Sequence, residues 1–167
     1  IRRKIMKELN CDLHIVGAAL TGLLTAYCAS NLGYKVIISE KKNILLNKKK
    51  PTTDTRTTAI AEGSKVFLES QGLWKFVKDF AEPIKNIKVF DKSANSNLDF
   101  VNPMPKSNLG YIVKNSKLIS LLINKLRKKN NVNFITGSNL SSISYNNSKI
   151  ISLSNKIKIN SNLIMAA

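Results

Sequence analysis

The residues best suited to chemistry are Gly17-Ala18-Ala19-Leu20-Thr21-Gly22 and, eighteen positions beyond Gly22, Glu40. Glycines at this spacing between a strand and a helix serve a diphosphate. The first permits a tight turn, the second lets the backbone approach the phosphates, and the third lets the helix pack closely on the strand. Ala19 stands in the second place, so its methyl is expected to crowd the diphosphate, weakening or displacing its binding rather than abolishing it. An anion bound there meets the free N–H groups and the positive dipole end of the helix. Glu40 lies near the distance of about 20 residues at which an acid accepts hydrogen bonds from ribose hydroxyls. The turn and the acid together describe a dinucleotide site. The plainer reading of the same residues is a packing turn and a solvated strand end.

That chemistry requires a strand, a helix and a second strand to carry it. Asp12-Leu13-His14-Ile15-Val16 is short and β-prone, Gly22 to Ala29 suits a helix, and Gly33 sits where a helix C-terminal glycine belongs. Lys35-Val36-Ile37-Ile38-Ser39 then forms a second apolar run ending at Glu40. Strand, helix, strand is a parallel βαβ unit with a right-handed crossover. Asn43 to Thr58, polar, basic and broken by Pro51, reads as a long loop. Helical spacing from Ala59 to Gln71 predicts a helix that stops at Gly72, and Leu73 to Phe80 a second short one. From Ile84 to Val113 the pattern is strands and turns, with Ile87, Val89 and Asp91 to one side. Ser116 to Lys129 is an amphipathic helix through Leu118, Leu122 and Leu126. Val132 to Thr136 reads as a strand, and Leu140 to Ile159 as two or three short strands turning at Asn146-Asn147-Ser148 and Ser154-Asn155. Leu163 to Ala167 reads as a separate buried strand.

Composition narrows the class. The chain has 167 residues, 43% of them hydrophobic and 22% charged, which excludes wholesale disorder and low-complexity structure. Cys11 and Cys28 with the single His14 offer neither a disulfide framework nor a zinc set, so no metal site is expected and a reducing compartment is. The net charge of +17 raises the question of nucleic acid. The excess is mostly Lys, scattered along the chain, and Lys, Asn and Ile together supply about a third of the residues, the bias of an AT-rich coding sequence. The dense cluster Lys48-Lys49-Lys50 has no interleaved aromatics for base stacking and reads as a solvated loop. No specific nucleic-acid partner is expected. Leu13 to Tyr34 carries no formal charge but holds two glycines, His14, Ser30 and Asn31, and reads as strand plus helix rather than a membrane span. Met6 reads as the natural start, with the basic residues before it lacking the apolar stretch of a signal peptide.

The order of motifs resembles the FAD-dependent aromatic hydroxylases of ubiquinone biosynthesis, the 2-octaprenyl-6-methoxyphenol hydroxylase type. Beyond the glycine turn and Glu40, the likeness rests on Asp54-Thr55-Arg56-Thr57-Thr58-Ala59-Ile60, Gly72-Leu73-Trp74, Pro83-Ile84 with Ile87-Lys88-Val89, and Leu109-Gly110-Tyr111-Ile112-Val113 followed by Asn115 and Leu118. It spans Asp12 to about Leu126. The resemblance implies a class A flavoprotein monooxygenase in which NAD(P)H reduces bound FAD and O2 supplies the oxygen placed on a polyprenyl phenol ring. It implies an α/β fold, a Rossmann-like FAD-binding domain with part of an inserted β-rich substrate domain. Residues 1–11 would be an N-terminal extension, 12–82 and 114–167 the incomplete FAD-binding domain, and 83–113 the start of the substrate segment. The residues implied against the cofactor are Gly17, Ala18, Ala19, Thr21, Gly22, Glu40 and Lys41, with Arg56 reaching the flavin side or the diphosphate; none is implied as catalytic.

The chain departs from that pattern in two places. Lys114 replaces a common acid before the asparagine, and the sequence stops before the family's second flavin motif, an Asp-Gly pair. It therefore reads as a truncated N-terminal portion, inactive alone. A cytoplasmic protein is expected, touching the inner membrane face peripherally through its lipid substrate and working beside other ubiquinone-biosynthesis enzymes. His14 reads as a satisfied core histidine, Trp74 and Tyr111 as core aromatics and Cys28 as a small buried hydrophobe. The competing readings are an NAD(P)- or FAD-dependent oxidoreductase of another substrate class, and a basic nucleic-acid-binding module.

Overall fold

The computed structural model describes residues 6–44, 54–91, 96–101, 108–146, 148–154 and 157–167. The Lys48-Lys49-Lys50 cluster, Pro51 and Asn155 lie outside the described residues. The chain divides into two compact units, one drawn from residues 1–51 and 119–167 and the other from 52–118.

The first unit is built on a six-stranded sheet. Strand β1 (Lys7–Val16) leads through α1 (Leu20–Asn31) to β2 (Val36–Glu40), and β1 and β2 pair in parallel as expected. The sheet runs β8-β2-β1-β11-β10-β9, where β8 is Val132–Thr136, β9 Leu140–Asn146, β10 Lys149–Ser154 and β11 Ile157–Ala166. β8, β2, β1 and β11 are parallel, and β10 and β9 return antiparallel. Taken in chain order, the four parallel strands stand 3-2-1-4, the Rossmann order, whose direction reverses beside β1. The Rossmann-like α/β expectation holds. Ile15, Leu23, Ala26 and Ile38 are fully buried where α1 packs on β1 and β2, and Ile159 is fully buried in a cluster with Cys11, Ile37 and Ile135.

β1 begins five residues earlier than the sequence suggests, so Lys7 to Cys11 are strand rather than part of an extension. Lys, Glu and Asn are poor strand formers, which hides the element. What holds it is pairing with the start of β11: Glu8 Oε1 accepts from Asn160 Nδ2 at 2.6 Å and lies 3.1 Å from Lys158 Nζ, while Asn160 also reaches Asn10. The Asn160 hydrogen bond, with Lys158 beside it, holds the Glu8 carboxyl below its ordinary pKa. Leu163 to Ala166, expected as a separate strand, continues β11 without a break from Ile157, because β1 runs alongside the whole length.

The second unit holds β3 (Thr57–Ala61), α2 (Glu62–Ser70), α3 (Trp74–Val77) with a 3-10 turn at Lys78–Phe80, β4 (Ala81–Ile84), β5 (Asn86–Asp91), β6 (Ser96–Val101) and β7 (Gly110–Lys114). The helix α4 (Asn115–Leu126) follows, with Leu118, Leu122 and Leu126 buried on one side. β7 lies between β3 and β4, antiparallel to both. This sheet draws residues 57–61 and 81–84 onto 110–114, so residues 52–82 cluster with 83–113 rather than with the strand-helix-strand unit. The helix predicted from Ala59 starts at Glu62. Thr57, Thr58 and Ile60 are β-branched and satisfy their backbone on β7, and tertiary pairing overrides the helical spacing. Among the described residues β5 pairs only with β6, and it is exposed throughout, so Ile87 and Val89 do not mark a covered face. Trp74 packs edge-on against Tyr111, ring centres 4.8 Å apart at 65°, as core aromatics do.

Candidate nucleotide site

The crevice at a strand-order reversal lies outside the carboxyl ends of the strands. Here that place holds the β1–α1 turn and Glu40. Gly17 takes a φ of +113°, and a Cβ there would lie 1.8 Å from the carbonyl oxygen of Ala167. Only glycine fits this turn against the tip of β11. The turn is closed by two backbone bonds of 2.8 Å, the Gly17 N–H to the Ser39 carbonyl and the Ala167 N–H to the Val16 carbonyl. Gly22 is buried in α1, where a Cβ would approach the Gly17 oxygen to 2.4 Å and the Ile15 side chain to 3.2 Å. The first and third glycines thus have the turn and packing roles their spacing predicts.

Ala19 is the N-cap of α1, at an ordinary extended backbone (φ −79°, ψ −177°), and its side chain is exposed. The conformation does not demand the missing glycine, so the methyl acts only on what approaches from solvent. Among the described residues no side chain caps α1, and no acid lies in its first turn. The first-turn N–H groups have no partners within a helix, so this end presents donors and positive dipole to an anion. Thr21 is exposed on the same turn and Ala18 is buried beneath it.

Glu40, half-buried at the end of β2, turns its carboxylate toward the glycine turn. Oε2 accepts the Ala18 N–H at 2.9 Å, and Oε1 accepts the Lys42 N–H at 2.9 Å. The acid is therefore fixed on the glycine turn, one residue past Gly17, and Lys41 beside it is exposed. The structure brings Gly17, Ala18, Ala19, Thr21, Gly22, Glu40 and Lys41 together around the carboxyl ends of β1 and β2. Arg56 belongs to the other unit. Its Nε and Nη2 both bond the Asp54 carboxylate, at 2.8 and 3.0 Å, and its side chain is 78% exposed. The Asp54 hydrogen bonds raise the guanidinium pKa further. Within that unit Arg56 lies beside Asn115, whose N–H donates to the Arg56 carbonyl and whose Oδ1 accepts from Thr58.

Beneath the crevice lies a buried polar layer that composition did not reveal. His14 is fully buried, its Nε2 2.9 Å from Ser39 Oγ and its Nδ1 2.7 Å from Ser152 Oγ. Burial depresses its pKa to about 4, so the ring is neutral near pH 7. Cys11, on the same strand, is pushed up to about 11, chiefly by burial. The Ser138 N–H donates to the Glu40 carbonyl, and the Ser138 hydroxyl meets that of Ser154. Serines punctuating the apolar runs Val36–Glu40 and Ile150–Ser154 are the signal in the sequence that could have found this layer. Cys28, read as a buried hydrophobe, is only half-buried.

The residues present fit a dinucleotide on two observations: an uncapped helix end facing the crevice, and a carboxylate anchored at the tip of the preceding turn. No protein-family model matches the chain. It is 28% identical over 117 residues to the ubiquinone hydroxylase UbiL of Rhodospirillum rubrum, an alignment covering 69% of this chain and 27% of that protein. Among solved structures, p-nitrophenol 4-monooxygenase PnpA from Pseudomonas putida DLL-E4 superposes with a TM-score of 0.77 at 14% identity, over 97% of this chain and 41% of that one. The flavin-dependent monooxygenase PieE, solved with FAD and substrate, gives 0.73 at 15% identity over 93% and 30%. The chain thus spans about a quarter to two fifths of these proteins' lengths, and over that span it has the fold of the FAD-dependent monooxygenases.

Proposed function

We propose that this chain is the dinucleotide-binding part of an FAD-dependent aromatic monooxygenase, and that the ADP half of FAD lies in the crevice at Gly17–Gly22 and Glu40. The observation that carries the reading is the Glu40 carboxylate held on the Ala18 N–H at the Rossmann switch point, with an open helix end beside it. Glu40 would receive the ribose hydroxyls, and the α1 N-terminus would receive the diphosphate beside Ala19 and Thr21. Lys41 would add a cation at the rim. Arg56, whose fork is held by Asp54, would reach the flavin side or the diphosphate. Bound FAD supplies the redox chemistry by which NAD(P)H and O2 hydroxylate a phenol ring. The protein's part here is to bind and orient the nucleotide.

The polyprenyl phenol of ubiquinone biosynthesis is the substrate this reading favours, supported by the name of the curated relative and by the motifs from Asp54 to Ile60 and from Leu109 to Val113. These two stretches are strand partners, β3 on β7. Such a substrate places the enzyme in the cytoplasm, at the inner membrane face and near other ubiquinone-biosynthesis enzymes. Among the described residues, no helix is long and apolar enough to cross a membrane. A small phenol is the second reading, supported by the structural likeness to a p-nitrophenol monooxygenase.

Two experiments test these readings. Calorimetric titration of the chain with ADP and FAD should show binding that Glu40→Ala weakens by about tenfold, the value of one or two hydrogen bonds to a charged group. Equal affinity in the variant would remove the site. The substrate is decided by supplying NAD(P)H and O2 to the longer enzyme containing this chain. A polyprenyl phenol gaining one oxygen supports the first reading, and turnover of p-nitrophenol alone supports the second.

A further inference from the structure

We propose that His14 is a positioning residue for Glu40, acting through Ser39 to hold the acid and the glycine turn in register for the nucleotide. The inference rests on the nucleotide site proposed above. Ser39 directly precedes Glu40 and makes two bonds at this point: its carbonyl accepts the Gly17 N–H at 2.8 Å, and its hydroxyl meets His14 Nε2 at 2.9 Å. The ring's other nitrogen is 2.7 Å from Ser152 Oγ, so one imidazole links β1, β2 and β10. A neutral imidazole has one donor and one acceptor nitrogen, and each hydroxyl can turn to suit either role. Both nitrogens are therefore satisfied without a charge. An apolar residue at 14 would fill the same space and leave two buried hydroxyls without these partners. The Ser39 rotamer, and with it the end of β2 carrying Glu40, would lose its anchor.

A purely structural histidine and a positioning one differ in what their removal does to binding once folding is controlled for. The test uses ADP titrated into the full chain by calorimetry, at a temperature where urea melts show each variant folded. His14→Leu and Ser39→Ala should each weaken ADP binding about tenfold, the equivalent of one hydrogen bond's worth of misplacement. His14→Gln, which keeps a donor and an acceptor, should recover most of the loss. In a Glu40→Gln background the further change Ser39→Ala should cost little, because both act on one group. If Ser39→Ala binds ADP as the unchanged chain does, or if its loss adds in full to that of Glu40→Gln, His14 only packs and the proposal is overturned. Ser39→Ala decides the matter even where His14→Leu fails to fold. Should the unchanged chain bind no ADP, the nucleotide reading falls, and this one with it; binding that ignores position 39 sinks this one alone.

Discussion

Gly17→Ala and Gly33→Ala form a matched pair, because both glycines have positive φ, +113° and +89°, while only one is crowded. At Gly33 nothing lies within 4 Å of an added Cβ, so the cost is the left-handed backbone alone, about 1–2 kcal/mol. At Gly17 the Cβ would stand 1.8 Å from the Ala167 carbonyl oxygen, a backbone atom of a residue whose own N–H is bonded to Val16. The turn and the tip of β11 must separate by more than an ångström. That movement breaks the Gly17–Ser39 and Ala167–Val16 bonds, each worth about 1 kcal/mol net, on top of the strain. Gly17→Ala should therefore destabilise by about 3–4 kcal/mol, roughly 2 more than Gly33→Ala, and on a domain stability of about 5–15 kcal/mol that is a large fraction. Urea melts followed by far-UV circular dichroism measure both, with unchanged slope showing that only stability moved. The displaced turn also carries the Ala18 N–H away from Glu40, so ADP binding should vanish in Gly17→Ala and persist in Gly33→Ala. Equal midpoints for the two variants would refute the close approach of β11 to the turn.

Ala19→Gly should tighten ADP and FAD binding several-fold, since the backbone at 19 already suits any residue and only the exposed methyl is removed; unchanged calorimetric affinity would show that the methyl crowds nothing. Arg56→Ala should leave the urea midpoint where it is, its side chain being exposed, and should lower retention of FAD on desalting. For pH, His14 titrates at about 4 folded against an ordinary 6.5, so the unfolded chain takes up the proton first. Its contribution is fully present above pH 6.5 and is lost as pH falls toward 4, about 3 kcal/mol over that window. Melts at stepped pH should show this fall, and His14→Leu should remove it.

The strand-helix-strand core was legible because its signals are local: an apolar run, a helix with Gly33 at its end, and a second apolar run closed by an acid. Lys7 to Cys11 was not, because its strand is stabilised by polar pairs to residues some 150 positions away that no window along the chain can see. The same holds for β3, where Ile60 fits a helical spacing and a β alternation equally until β7 supplies the partner. The site itself divides in the same way. The glycines and Glu40 announce themselves by spacing. The roof over Gly17, made by the backbone of Ala167, carries no side-chain signature at all, and His14 gains its meaning only when β10 brings Ser152 to it.

The charge balance gives an independent reason to regard Glu40 as placed rather than incidental. With 27 basic residues and 10 acidic ones, a carboxylate in this chain is rarely far from a lysine. Five of the ten pair with a cationic side chain: Glu8 sits with Lys158, Glu62 and Glu69 with Lys65, Asp99 with Lys88, and Asp54 with Arg56. Asp12 and Glu40 differ. Asp12 accepts the Lys35 backbone N–H at 2.7 Å, bracing the approach to β2, and Glu40, flanked by Lys41 and Lys42, gives its oxygens to the amides of Ala18 and Lys42. A backbone amide fixes a carboxylate more firmly than a long flexible ammonium, at less cost in side-chain entropy. Two acids, Asp12 of β1 holding the entry to β2 and Glu40 at its end, are thus spent on geometry in a chain short of negative charge. At the site end, that geometry sets an acceptor beside an open helix terminus, the pairing of features that sugar and diphosphate require.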